Sequence, residues 1–351
     1  MKAYLKNIRQ VVPYTPGEQP KQPGIIKLNT NENPYPPSPK VMEKLCQIDR
    51  LRMYPDPAVT ELVEAIADYK GLSKDQVFVG VGSDDVLAMC FMTFFNSGLP
   101  ILFPDITYSF YDVWAELFRV PFQTVPLDQD FKIVPEDYKR PNGGIIIANP
   151  NAPTGIFMPL DEVESIIAAN QEVIVIVDEA YVDFGGTSAQ CLLARYDNLI
   201  VVQTFSKSRS MAGMRIGYAM GSSVLIKALN DVKYSFNSYT MNQPSIVLGK
   251  ASIEDDSYFK NTCESIKKTR EWVKKELREL GFRFPDSKTN FIFAAHESVP
   301  AEDIFLAAKK ENIFIRYFKK PRIDNYLRIT IGTDEEMKKF IQFLKNYLDE
   351  R

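Results

Sequence analysis

Val173-Ile174-Val175-Ile176-Val177-Asp178-Glu179-Ala180-Tyr181 is the stretch that decides the fold. Five β-branched residues in a row show no apolar–polar alternation. A strand of this kind is buried on both faces, as in a parallel sheet covered by helices. Working outward, similar apolar runs occur at Val77 to Val79, Pro100 to Phe103, Gly144 to Ala148, Leu199 to Val202 and Ile216 to Met220. Helical patterns separate them. One follows Gly80-Val81-Gly82-Ser83-Asp84 and runs through Phe94, and another spans Pro57 to Lys70 with Leu62, Ala65, Ile66 and Tyr69 on one face. The expectation is an α/β fold built on a large, mostly parallel sheet. Ligands of such sheets bind beyond the strand carboxyl ends. Ser83, Asp84, Asn149, Asp178 and Thr204 to Lys207 fall at those ends.

The flanks read differently. Eight prolines lie between Pro13 and Pro39, a density that excludes regular helix and central strand. Residues 1–40 are therefore expected to form an extended arm, and residues 41–245 the large domain. After about Gln243 come a long charged helical region, Ile246 to Leu280, and then short strands mixed with helices. The strands are Phe282 to Phe284, Asn290 to Ala294, Phe314 to Arg316 and Tyr326 to Ile331. The helices are Ala301 to Lys310 and Glu335 to Leu348. Residues 246–351 are expected to form a smaller α+β domain.

Composition removes several functions. The 351 residues carry a formal net charge of -3, which gives no reason to expect nucleic acid or an anionic membrane as a partner. The four cysteines are far apart, with no C-x-x-C, so neither a zinc site nor a disulfide framework is indicated, and reduced thiols are expected. The single histidine, His296, cannot build a two-imidazole metal site, and no G-x-S-x-G motif accompanies it. It reads as a strand-end surface residue. Proton transfer must then fall to another group, and lysine is the candidate. No apolar stretch approaches the roughly 18–20 residues of a membrane span. Met1 to Pro16 lacks the apolar centre of a signal peptide, so a cytoplasmic protein is expected.

Four residues near strand ends carry a specific chemistry: Asp178, Tyr181, Lys207 and Arg215. Pyridoxal phosphate (PLP) needs such a set. An acid holds its pyridine nitrogen protonated, a phenol bonds its ring hydroxyl, a lysine forms an imine with its aldehyde, and an arginine takes its phosphate. Each residue alone has a plainer reading. Lys207 lies in a Ser-rich loop, Asp178 could cap a helix, and the Gly82-Ser83-Asp84 turn resembles many strand-to-helix turns. Together, Thr204, Ser206, Arg215 and the backbone N–H groups of Ser83 and Asp84 would make a phosphate cradle at a helix N-terminus. Tyr108 could stack on the ring. Arg328 interrupts the apolar run Tyr326 to Thr330 and needs an anionic partner, and Arg316 is similar.

These residues, in this order, resemble those of the fold-type I PLP-dependent enzymes, class II aminotransferases. Within them the chain resembles the histidinol-phosphate aminotransferase family. Leu28-Asn29-Thr30-Asn31-Glu32-Asn33-Pro34, Tyr54-Pro55-Asp56, Asp178 to Phe184 and Thr204-Phe205-Ser206-Lys207 carry the likeness, which extends from Tyr14 to about Gly332. It implies a homodimer in which Tyr54 reaches the cofactor phosphate of the other subunit. It also implies that Tyr14, Asn33, Arg316 and Arg328 bind substrate. One position departs from the family pattern. Many relatives have asparagine directly before Pro-Thr-Gly, bonding the cofactor's ring oxygen, and here it is Ala152. Either Tyr181 bonds that oxygen alone or a neighbour such as Asn151 substitutes.

The implied activity is transamination between L-histidinol phosphate and 2-oxoglutarate, giving glutamate, in histidine biosynthesis. Lys207 is the expected catalytic residue, and no metal is expected. Three rivals remain: decarboxylation of threonine phosphate, transamination of aromatic or aliphatic amino acids, and a non-catalytic PLP-binding regulator. Release of CO2 would mark the first, and comparable activity on phenylalanine the second. The third usually carries an added DNA-binding domain, of which this chain has no basic helix-turn-helix sign.

Overall fold

The computed structural model describes residues 2–350. The strands are β1 (Ile26–Lys27), β2 (Val77–Gly80), β3 (Ile101–Pro104), β4 (Phe122–Val125), β5 (Ile145–Ala148), β6 (Val175–Asp178), β7 (Leu199–Thr204), β8 (Gly217–Gly221), β9 (Phe282–Arg283), β10 (Phe291–His296), β11 (Ile313–Phe314), β12 (Arg316–Tyr317) and β13 (Leu327–Thr330). The helices are α1 (Pro39–Leu45), α2 (Thr60–Lys70), α3 (Ser83–Phe94), α4 (Tyr111–Phe118), α5 (Leu160–Ala169), α6 (Ser223–Phe236), α7 (Gln243–Glu254), α8 (Asp256–Glu279), α9 (Ala301–Lys310) and α10 (Asp334–Asp349). No helix among the described residues is long and apolar enough to cross a membrane.

The large sheet has the order β2-β8-β7-β6-β5-β3-β4. All of its pairs are parallel except those of β8, which runs antiparallel to both neighbours. Period-two geometry sends alternate side chains of β5 and β6 to opposite faces. Ile145, Ile147, Val175 and Val177 pack with Leu62 and Ile66 of α2, Val163 and Ile166 of α5, and Ile246 and Leu248 of α7. Ile146 and Ile176 pack with Val86, Cys90 and Phe91 of α3, Trp114 of α4, and Ile226 and Leu229 of α6. Burial on both faces is why the central strands are apolar throughout.

The second sheet, β12-β13-β10-β9, is antiparallel. Its core gathers Ile292, Ala294, Leu327 and Ile329 with Ile266, Val273 and Leu277 of α8, Ile304 of α9, and Phe340 and Leu344 of α10. The N-terminal arm joins this region through β1, which pairs in parallel with β11 (Ile26 opposite Ile313).

Several sequence expectations change. The charged helical region is two helices that break at Asp255. The run Phe314 to Arg316 divides into β11 and β12, which belong to different sheets. Strand β4 gave no apolar signal because it lies at the sheet edge, where Gln123 and Thr124 are exposed. His296 does end a strand, but it is buried, not at the surface. Its ring lies edge-on to Phe282, and its Nδ1 accepts the Val299 N–H at 3.0 Å.

The register brings the carboxyl ends of β5, β6 and β7 to one level, with Asp178 opposite Ala148 and Val202. Gly217 opens β8 beside this edge. A β-carbon there would run into the backbone of Gly82 and Ser83, at the turn into α3. Gly217→Ala should therefore cost about 1–3 kcal/mol of stability through overpacking, measured by denaturant unfolding. A variant as stable as the parent would contradict this close approach.

Candidate active site

At the carboxyl ends of β5, β6 and β7 lies a cavity of about 180 Å³. Its walls include Ser83, Asp84, Tyr108, Asp178, Tyr181, Thr204, Ser206, Lys207 and Arg215. These are nine of the sequence-derived site residues, drawn from four separate strand ends or turns.

Asp178 is the last residue of β6 and is 5% exposed. The Tyr111 hydroxyl donates to Oδ2 at 2.8 Å, and the Ala180 N–H donates to Oδ1 at 3.3 Å. Burial pushes its pKa up to about 6, against the pull of those two bonds. Among the described ion pairs Asp178 has no cationic partner. A buried carboxylate without a counter-charge is costly, and a protonated ring nitrogen would supply one.

Arg215, also on the cavity wall, adopts a left-handed backbone (φ 51°). Its Nη2 lies 3.2 Å from Asp84 Oδ2, and its Nη1 lies 3.4 Å from Ser206 Oγ. Thr204 Oγ1 accepts the Ser206 N–H at 3.1 Å, and α3 begins here at Ser83. The arginine, two hydroxyls and a helix N-terminus form an anion cradle. Asp84 contributes more than its backbone. Its carboxylate bonds Arg215 and accepts the Tyr108 hydroxyl at 2.7 Å. Burial and the adjacent Asp84 charge hold the Tyr108 phenol well above its ordinary pKa, so it remains a donor.

Lys207 shares the cavity wall with both groups. Its Nζ donates to the Thr30 carbonyl at 3.1 Å and lies 5.8 Å from the Tyr181 ring centre. Tyr181 packs edge-on against Phe291, and its hydroxyl accepts from Asn31 Nδ2 at 2.9 Å.

The remaining five predicted residues sit elsewhere. Asn33 was expected to bind substrate, but its amide donates to the carbonyls of Lys207 and Ser208 at 3.0 and 3.1 Å. Its place is therefore under the lysine, holding that loop. Tyr14 stacks on Phe110 at 4.2 Å and lines, with Arg316, a second cavity of about 590 Å³. Arg316 and Arg328 are cross-strand partners. Arg328 is half-buried, with its Nη2 donating to the Asn29 carbonyl at 3.0 Å and its buried Nε without a partner. Desolvation, with the Arg316 charge adding to it, lowers its pKa. No carboxylate pairs with either arginine among the described ion pairs. Two adjacent, half-buried guanidiniums without a carboxylate partner have the chemistry to receive an anion. Tyr54 is 82% exposed and packs at a tilt against Tyr239, away from the cavity of its own chain.

Two further positions matter. Ala152 lines the cavity. Asn151 does not replace an amide there: it donates to the Ile106 carbonyl and to Thr154 Oγ1, and it accepts from Thr107 Oγ1. Sequence reasoning missed Tyr111, Asn31 and Thr30. Tyr111 lies among other aromatics that look alike on paper. Asn31 and Thr30 lie inside the Leu28-to-Pro34 motif, but nothing in that motif says which side chain faces which way.

A buried acid, a lysine, a phenol, an aromatic wall and an anion cradle around one small cavity fit PLP. The comparisons agree. Residues 23–344 match the family model for aminotransferase class I and II. A histidinol-phosphate aminotransferase from Brachyspira hyodysenteriae is 52% identical, covering 98% of this chain and 99% of the relative. One from Lactococcus lactis is 51% identical, over 99% and 97%. In structure the chain is similar to histidinol-phosphate aminotransferase from Clostridium acetobutylicum, with TM-score 0.86 at 24% identity, over 93% of this chain and 100% of that one. The Sinorhizobium meliloti enzyme, solved in complex with pyridoxal-5'-phosphate, gives 0.84 at 22% identity, over 93% and 91%. The chain belongs to the class I and II aminotransferases.

The raised pKa of Asp178 has a consequence for the chain on its own. An acid whose folded pKa lies above its unfolded value near 3.8 favours folding below that value, and the contribution is lost as pH rises through about 6. Without cofactor, Asp178→Asn should therefore be more stable than the parent at pH 8, by about 3 kcal/mol, and close to it at pH 3. Denaturant titrations at both pH values test this. A variant less stable than the parent at pH 8 would contradict the assigned burial cost.

Proposed function

We propose that this chain is a PLP-dependent aminotransferase that moves the amino group of L-histidinol phosphate to 2-oxoglutarate, forming glutamate. The observation that carries the reading is the unpaired acid at one end of the cavity and the unpaired arginines beyond it, with Lys207 nearby. Identity near one half to relatives of that name, over nearly the whole length, supports the substrate.

Asp178 would hold the ring nitrogen, Tyr181 the ring oxygen, and Arg215, Ser206, Thr204 and the start of α3 the phosphate. Tyr108 would cover the ring. PLP, when bound, supplies the electron sink that lets a proton leave the carbon bearing the amine. Lys207 Nζ would take the proton from substrate Cα as general base. Tyr111 keeps the Asp178 carboxylate oriented, and the backbone of Asn29 steadies Arg328. Arg328, with Arg316 beside it, grips the phosphate of histidinol phosphate in one half-reaction and a carboxylate of 2-oxoglutarate in the other. The planar carboxylate and the tetrahedral phosphate each present a pair of oxygens that a guanidinium can bond through paired N–H groups. Tyr14 closes the side-chain pocket.

We further propose a homodimer in the cytoplasm. Tyr54 and Tyr239 form an exposed, tilted ring pair, with Leu51, Met53 and Phe236 also exposed. A second copy of the chain would cover them and place Tyr54 at its partner's phosphate cradle.

Lys207→Ala should keep the fold and lose all turnover with histidinol phosphate and 2-oxoglutarate, measured as glutamate formed. The parent should release no CO2 and act far less on phenylalanine. Full activity in the variant would sink the mechanism. Light scattering should return twice the 40.0 kDa chain mass. A monomer that is fully active would contradict the shared site.

A further inference from the structure

Tyr181 has one proton and two neighbours to choose between: Asn31 and whatever faces it in the cavity. Which way that proton points is set by Asn31. The Asn31 side chain is buried at 1% exposure and sits on a left-handed backbone (φ 57°). Its main-chain N–H donates to Thr330 Oγ1 at 3.1 Å, and its carbonyl accepts from Asn290 Nδ2 at 3.0 Å. Thr330 Oγ1, having taken that N–H, donates its own proton to Asn31 Oδ1 at 3.0 Å. The carboxamide oxygen is thereby fixed, and Nδ2 is left to donate to Tyr181 OH at 2.9 Å. A phenol that accepts on this side keeps its proton for the other, and no other acceptor for it is found among the described residues. The wall offers no amide of its own. Position 152 is alanine, and Asn151 spends its amide on Ile106, Thr154 and Thr107.

We propose that Asn31 is a positioning residue for the reaction: it holds the Tyr181 hydroxyl as a donor into the cavity and thereby tunes the acidity of the Lys207–coenzyme linkage. The inference rests on the PLP reading. The physical link is short. A hydrogen bond donated to the coenzyme's ring oxygen stabilises that oxygen's anionic form. A more stable anion holds less firmly to a proton shared with the neighbouring nitrogen. The Asn31 donor also polarises the phenol and strengthens the bond it gives. Thr330 lies in the second sheet and Asn31 in the arm, so the phenol's direction is fixed by parts of the chain far from Lys207 in sequence.

The test is a pH titration of the coenzyme's visible absorbance in the PLP-loaded protein, without substrate. Asn31→Gly suits it, because glycine adopts the left-handed backbone freely and retains both main-chain bonds. Four proteins are compared: the parent, Asn31→Gly, Tyr181→Phe and the double variant. The midpoint should rise by about half to one pH unit in Asn31→Gly and further in Tyr181→Phe. The double variant should match Tyr181→Phe alone, because Asn31 acts only through the phenol. An unchanged midpoint in Asn31→Gly would overturn the proposal. So would an equal further shift in the Tyr181→Phe background, which would mean that Asn31 merely anchors the arm. If the parent shows no coenzyme band at all, the functional reading fails first and this inference goes with it.

Discussion

A carboxylate buried at the end of a central strand, with no cation to balance it, is the constraint around which this structure is organised. Strand β6 is apolar on both faces because helices cover both sides of the large sheet, and the same covering dries Asp178. Tyr111 and the Ala180 N–H offset part of the cost, but burial still wins. The cavity beyond the strand ends is where a complementary charge can enter. Arg215, Lys207 and the start of α3 line that same cavity, so it holds cationic and anion-binding groups together with the acid. The Glu179 carboxylate next door is equally buried, yet it is bonded by Ser188, Ala189 and Gln203 and does not line the cavity.

The arm supplies the second constraint. Between Asn29 and Asn33 it touches most of the groups that must act together. The Asn29 carbonyl takes Arg328, the Thr30 carbonyl takes Lys207, the Asn31 amide takes Tyr181, and the Asn33 amide holds the backbone under Lys207. Each bond ties a residue of one sheet, or its loops, to a segment that also pairs with β11 near the C-terminus. A flexible arm here would leave the lysine and the phenol without fixed directions, which catalysis needs more than stability does.

Much of this was legible in the sequence. Unbroken β-branched runs located β5, β6 and β7, and polar residues at their ends located the cavity, because a dry strand leaves few places for an acid or a lysine. Arg328 stood out as a charge inside an apolar strand. What stayed hidden depends on orientation or on long-range contact. Nothing local says that Asn33 turns under Lys207 while Asn31 turns toward Tyr181. Nothing distinguishes Tyr111 from Tyr108 before the turn into α4 aims one at Asp178 and the other at Asp84. His296 looked exposed because a charged residue follows it, but Phe282 and the turn at Val299 enclose its ring. The edge strand β4 escaped notice because an edge does not need to be apolar.

The proposed attachment point of the coenzyme is one nitrogen, Lys207 Nζ. Reducing the PLP-loaded protein with borohydride and mapping the label by peptide mass spectrometry tests it most directly. The label should appear on the peptide containing Thr204 to Lys207 and nowhere else. A label on another lysine, or none, would contradict the assignment of the cavity and of every group placed around it.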